Sequence, residues 1–185
     1  HDWEAYFQEA MGGPGPRATP TWHDGRVYAL GATGLLWCLD GETGKVIWDR
    51  NILADSGGRN LRWAMSGAPL IVEDLVVVQP GGRDGWSVVA YDRLSGEVIW
   101  HALDDVQSYT SPMVVTLRGR RQLIVVTAER AVGMSIEDGT ELWSHPWTIP
   151  LVPNMAQPLV VGDDRIFLSA GYGKGAAVIE LSGES

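Results

Sequence analysis

The chain has 185 residues, 45% of them hydrophobic, enough to bury roughly two thirds of the surface of the extended chain, which excludes intrinsic disorder. A formal net charge of -9, with 14 Lys and Arg scattered among 23 Asp and Glu, argues against nucleic acid and anionic membrane surfaces, which demand clustered cations. The single cysteine, Cys38, allows no intrachain disulfide, and no apolar run reaches the ~20 residues of a membrane-spanning helix.

Residues 1–16, ending in GGPGP, read as the tail of a preceding unit followed by a Gly/Pro-rich connection. From there on, short apolar or alternating runs are separated by turn residues, the pattern of short strands at regular spacing. The first unit gives ATPTW (18–22), RVYALG (26–31), LLWCLD (35–40) and KVIWDR (45–50). The second gives GAPLIV, LVVVQP, WSVVAYD and EVIWHA, and the third SPMVVTL, RQLIVVTA, AVGMSI and ELWSHPW. A fourth gives QPLVV, RIFLSAG and GAAVIEL and stops before its outer strand. No segment of useful length has helical periodicity.

A second pattern marks the end of each complete unit: an acid or hydroxyl, then Gly four residues on, then Trp four after that. It occurs as Asp40-Gly44-Trp48, Asp92-Gly96-Trp100 and Ser135-Gly139-Trp143. Each unit opens on Pro20, Pro69, Pro112 or Pro158, and the Pro-to-Trp spacing is 28, 31 and 31 residues. Four strands per unit at a period of 43 to 52 residues is the sequence form of a β-propeller blade. The reading is therefore all-β, with four-stranded antiparallel blades at about 17–51, 66–103, 111–147 and 157–185, the last incomplete. The first residue, His1, and the break before a fourth Trp predict a fragment of a longer protein, about half of an eight-bladed ring.

The turn chemistry fits this reading. The Gly supplies positive φ between the third and fourth strands, and the Asp side chain can accept from its own turn backbone. The Trp falls on the outer strand, where its flat face can pack against the neighbouring blade.

The strings DGRVYALGATGLLWCLDGETGKVIW and LVVVQPGGRDGWSVVAYDRLSGEVIW resemble the PQQ-like propeller repeat, shared by quinoprotein alcohol dehydrogenases and BamB-type assembly lipoproteins of the bacterial outer membrane. The resemblance covers residues 17–181. It implies an exported, periplasmic or envelope protein, and it raises PQQ with calcium in a central channel as a cofactor. Methanol-oxidising quinoproteins carry an adjacent Cys-Cys pair and Glu, Asn and Asp ligands for the calcium. Cys38 has no cysteine neighbour. The expectation is a non-catalytic binding or scaffold module, with a PQQ-dependent alcohol or sugar dehydrogenase as the alternative.

Other motifs have plain readings. AGYGKG (170–175) is followed by a strand and not a helix, so it reads as a hairpin turn. His1, His23, His101 and His145 share no ligand spacing, so no metal site is expected. Asp104 and Asp105 are adjacent and point apart in extended chain, and no nucleophile elbow occurs, so no catalytic residue is assigned.

The informative asymmetry is loop length. Connections between blades are long and varied: 51–66, 102–110 and 146–157. They share one face with the turns between second and third strands, and long loops on a rigid face are where binding concentrates. On that face the candidate binding residues are Arg17, Arg59, Trp63, Met65, Tyr109, Asn154 and Tyr172, a mixture of aromatic, Arg and polar groups suited to recognition. The partner is expected to be a protein or a small ligand, and a sugar would use Trp63, Tyr109 and Tyr172 as stacking platforms. Packing of Trp63 and Tyr109 between blades is the competing reading. An open half-ring is also expected to self-associate through its blade edges.

Overall fold

A computed structural model describes residues 6–8 and 13–182. It holds four antiparallel sheets in chain order. The first is β1 (Thr21–His23), β2 (Arg26–Leu30), β3 (Leu35–Asp40) and β4 (Val46–Asn51), and the second is β5 (Leu70–Val72), β6 (Leu75–Val78), β7 (Val88–Asp92) and β8 (Val98–Ala102). The third is β9 (Met113–Leu117), β10 (Arg120–Val126), β11 (Arg130–Met134) and β12 (Glu141–Pro146), and the fourth is β13 (Leu159–Val161), β14 (Arg165–Ala170) and β15 (Gly175–Glu180). Strands pair in sequence order within every sheet, so each sheet is a meander and the architecture is that of propeller blades. The expectation for residues 1–5 and 9–12 falls outside the described residues.

The core is three slabs, each between successive sheets. Strand alternation sends Tyr28, Leu30, Leu36 and Cys38 of the first sheet against Val76, Val78, Val89 and Tyr91 of the second. The opposite faces of those second-sheet strands, with Val77, Val88 and Ala90, meet Leu123, Val125, Val132 and Met134 of the third. Val115, Leu117, Ile124 and Val126 then meet Ile166, Leu168 and Ile179 of the fourth. Central strands buried on both faces explain the near-continuous apolar runs such as LVVV, fully buried at 75–78.

The outer-strand tryptophans fasten one sheet to the next. Trp48 Nε1 donates to the Arg93 carbonyl at 3.1 Å, and its ring lies over Gly96 of the second sheet. Trp100 Nε1 donates to the Ile136 carbonyl at 3.1 Å over Gly139 of the third. In both cases the acceptor is one residue past the first residue of the turn motif. A register shift precedes each of these turns, at Cys38/Leu39, Ala90/Tyr91 and Gly133/Met134, and such bulges re-aim the strand that follows.

Trp143 departs from the pattern. Its Nε1 donates to Gln122 Oε1 at 2.6 Å within its own sheet, and its ring lies against Gly133. Gly133 is its cross-strand partner, where Trp48 faces Cys38 and Trp100 faces Ala90. With no Cβ beneath it, the indole sinks onto its own blade, although it still packs beside the core shared with the fourth sheet.

One short helix, α1 (Ile52–Ser56), interrupts the all-strand expectation in the first inter-sheet connection. Asn51 caps it by accepting from the Ala54 amide, and Gly57 ends it at φ 63°.

Candidate functional site

The two ends of the sheets are built differently. At one end, turns between first and second strands hydrogen-bond turns between third and fourth: Gly41 N donates to Gly25 O at 2.7 Å and Arg93 N to Asp74 O at 2.8 Å. At the other, the long connections fold onto the turns between second and third strands. Asn60 Nδ2 and Met65 N both donate to Ala32 O, Ile52 N to Gly34 O, and Ala128 N to Val106 O.

Within this second face three of the candidate residues form one chain of contacts. The Tyr109 hydroxyl accepts from Trp63 N at 3.2 Å, and the two rings lie with centroids 5.7 Å apart. Tyr109 N donates to Asn154 O at 2.8 Å. The Asn154 side chain is buried and its Nδ2 donates to Thr127 O at 2.6 Å and Trp147 O at 2.8 Å, tying the third connection to the β10–β11 turn. Met65 is buried in the slab between the first two sheets. Arg59 keeps its side chain exposed while its carbonyl accepts from Gln107 Nε2 at 2.6 Å.

Arg17 and Tyr172 stand outside this chain of contacts, Tyr172 on the same face. The Arg17 guanidinium donates to Gly15 O and Gly13 O and lies 5.1 Å from the Phe7 ring centroid. Tyr172 stands exposed on the β14–β15 turn with φ 54°.

Several contributors escaped the sequence reading. The Arg62 guanidinium lies 5.6 Å from the Trp63 ring, so the indole has Tyr109 and Arg62 as neighbours. Gln107, buried, joins the second connection to the first. Exposed apolar side chains stand on the same connections: Val106, Leu151 and Met155, with Leu151 98% exposed at φ 74°. For Val106 the sequence signal was an apolar residue inside the polar stretch DDVQS, whereas Leu151 and Met155 lie in a connection rich in apolar residues and carried no such signal.

Three titratable groups with shifted ionisation lie in the slab between the first two sheets. Burial pushes the Tyr28 hydroxyl up to about 12, with the Cys38 thiol beside it adding to the rise, and burial raises the Cys38 thiol too. Tyr91 is raised by burial and by Asp55, whose carboxylate accepts from its hydroxyl at 3.1 Å. Among the described residues, no cluster of three or more His, Cys, Asp or Glu could hold a metal ion. The resemblance to methanol-oxidising quinoproteins implies, for PQQ, an adjacent Cys-Cys pair and a calcium held by Glu, Asn and Asp. The described residues do not fit it: Cys38 is wholly buried in an inter-sheet slab, and no metal-ligating cluster accompanies it.

Repeated four-stranded meanders fastened by outer-strand Trp residues define a propeller-type repeat protein of the PQQ-like class. The chain belongs to the family described as outer membrane protein assembly factor BamB, which matches residues 2–185. It is 32% identical over 101 residues to an outer membrane protein assembly factor BamB of Xanthomonas campestris pv. campestris, covering 54% of this chain and 24% of that protein. It is also 34% identical over 74 residues to a 1-butanol dehydrogenase (cytochrome c) of Thauera butanivorans, covering 38% of this chain and 10% of that one. Its fold resembles the crystal structure of BamB from Moraxella catarrhalis, with TM-score 0.61 and 18% identity over 95% of this chain and 49% of that chain. The chain thus spans a quarter or less of the length of these two curated relatives and about half of the BamB crystal structure. No helix among the described residues is long and apolar enough to cross a membrane.

Proposed function

We propose that this chain is a non-catalytic scaffold segment of an envelope protein, periplasmic in location, that presents its long-loop face to a protein engaged in outer membrane protein assembly. The observation that carries this reading is the construction of that face. Three connections are hydrogen-bonded to each other and to the second-to-third-strand turns, so they hold Arg59, Trp63, Val106, Leu151 and Met155 on a rigid support. Exposed apolar side chains bordered by Arg suit a protein partner. An open sheet face at the fourth blade adds a second contact, through which the chain associates with further blades or with itself.

The test is a binding titration of outer membrane protein assembly components against the chain and its Arg59→Ala and Leu151→Ser variants. Both positions are exposed, so folding is expected to persist, and affinity should fall at least tenfold. Unchanged affinity in both variants refutes use of this face.

The match to a 1-butanol dehydrogenase supports a second reading, a quinoprotein oxidoreductase whose cofactor ligands lie outside the described residues. Saturable, one-to-one quenching of tryptophan fluorescence by PQQ with calcium would favour it over the scaffold, and flat titrations would retire it.

A further inference from the structure

Where the ends of β2 and β6 meet the connections into the second and third sheets lies a cavity of about 10 Å³, the room of a single water molecule. Leu30, Met65 and Pro112 form its apolar wall, and beside Gly67 the remainder is polar: Ser66, Gln79, Ser108 and Thr110. Gln79 is 6% exposed and follows β6 at the place where the first sheet has Leu30 and the third Val126. Its Nε2 donates to Val126 O over a long 3.4 Å, and its Oε1 is buried without a donor.

A count of protons shows why no neighbour supplies one. Ser108 Oγ and Thr110 Oγ1 touch each other and both reach Val126 O, three oxygen contacts served by two hydroxyl protons. The Ser66 proton goes to Tyr109 O at 3.1 Å. Turning the amide over does not help, because Oε1 would then face the Val126 carbonyl, and two acceptors repel. A buried amide oxygen left dry is costly, and a molecule that carries two protons of its own is what the site lacks.

We propose that this cavity binds one ordered water, which donates to Gln79 Oε1 and, with its second proton, to one of the lining hydroxyl oxygens. The water then bridges the second sheet to the connections that enter its neighbours, and it is an integral part of the inter-blade junction beneath the long-loop face.

A crystal structure that resolves solvent tests this directly. One solvent peak within hydrogen-bond distance of Gln79 Oε1 is expected, and its loss is expected in Gln79→Met, which keeps the side-chain length and removes the amide. An empty cavity, a protein N–H turned onto Oε1, or a peak that persists unmoved in the variant overturns the proposal. Should the variant fail to fold, water-to-amide NOEs on the unaltered chain decide. A long-lived water contact at the Gln79 side-chain amide supports the site, and its absence overturns it.

Discussion

Glycine at the strand turns serves two separable needs, and three positions pull them apart. Gly119, Gly96 and Gly139 have φ of 75°, 72° and 73°, so an L side chain at any of them meets the left-handed penalty of roughly 1–2 kcal/mol. Gly119 has nothing within 4 Å of where a Cβ would stand, whereas a Cβ at Gly139 would lie 2.6 Å from Trp100 Cε3 and one at Gly96 2.8 Å from Trp48. Overpacking there adds about 1–3 kcal/mol. Urea unfolding of Gly139→Ala should therefore show a markedly larger loss of stability than Gly119→Ala, and equal losses would mean that the Trp is not seated as described. Cys38 offers a second residue-level check. Its thiol is fully buried and shifted upward by burial, so a disulfide reagent should label it only as fast as the chain opens. Labelling at the rate of a free thiol would contradict that packing.

The turn between third and fourth strands is the element whose chemistry depends on pH. Asp40 accepts from the Thr43 hydroxyl and amide, and these bonds hold its carboxyl below the usual range, with the hydroxyl the larger cause. Asp92 is held down chiefly by the Ser95 amide. In the third blade, where Ser135 takes the first place, Asp138 assumes the task and is lowered chiefly by the Thr140 amide. A carboxyl with a lowered native pKa stabilises the fold fully above its unfolded value, about 3.9 for Asp, and the gain is lost as pH falls through the lowered value. The melting temperature should therefore drop on acidification below about pH 4, and the gap between the unaltered chain and Asp92→Asn should narrow there; a gap constant from pH 7 to pH 2 would refute it. These turns were legible in the sequence because Asp, Gly and Trp recur at fixed spacing within nine consecutive residues, although the Trp finds its partner in the next sheet. The seating of Trp143 was not, since it depends on Gly133 and Gln122 from two other strands. Nor was α1, whose five residues are too few for a helical period to show. The candidate site was half legible: Trp63, Tyr109 and Asn154 could be placed on long connections. That these connections fold onto one another, while Arg17 turns to residues 13–15, depends on tertiary pairing that no local pattern encodes.

At the scale of the whole molecule, the second and third sheets are each sandwiched between neighbours, whereas the first and the fourth are, among the described residues, covered by a neighbouring sheet on one face only. On the third sheet, the face carrying Val115, Leu117, Ile124 and Val126 is buried by the fourth. In the fourth, Leu159 pairs with Phe167 and Phe167 with Val178, a cross-strand row that alternates with the buried Ile166, Leu168 and Ile179 and so lies on the far face. Leu159 is 60% and Val178 56% exposed. Among the described residues this sheet also ends at β15, without a fourth strand on its outer edge. An apolar face beside an unpaired edge is a site of association in water. Sedimentation velocity of the chain should show concentration-dependent association in the micromolar range, and Leu159→Asp with Val178→Asp should return it to monomer. Both positions are exposed, so the variant's own fold is expected to survive, which circular dichroism and a melting curve would establish. A wild-type chain that stays monomeric across that range, with a single sharp unfolding transition, would show that this face is already covered or is stable in water.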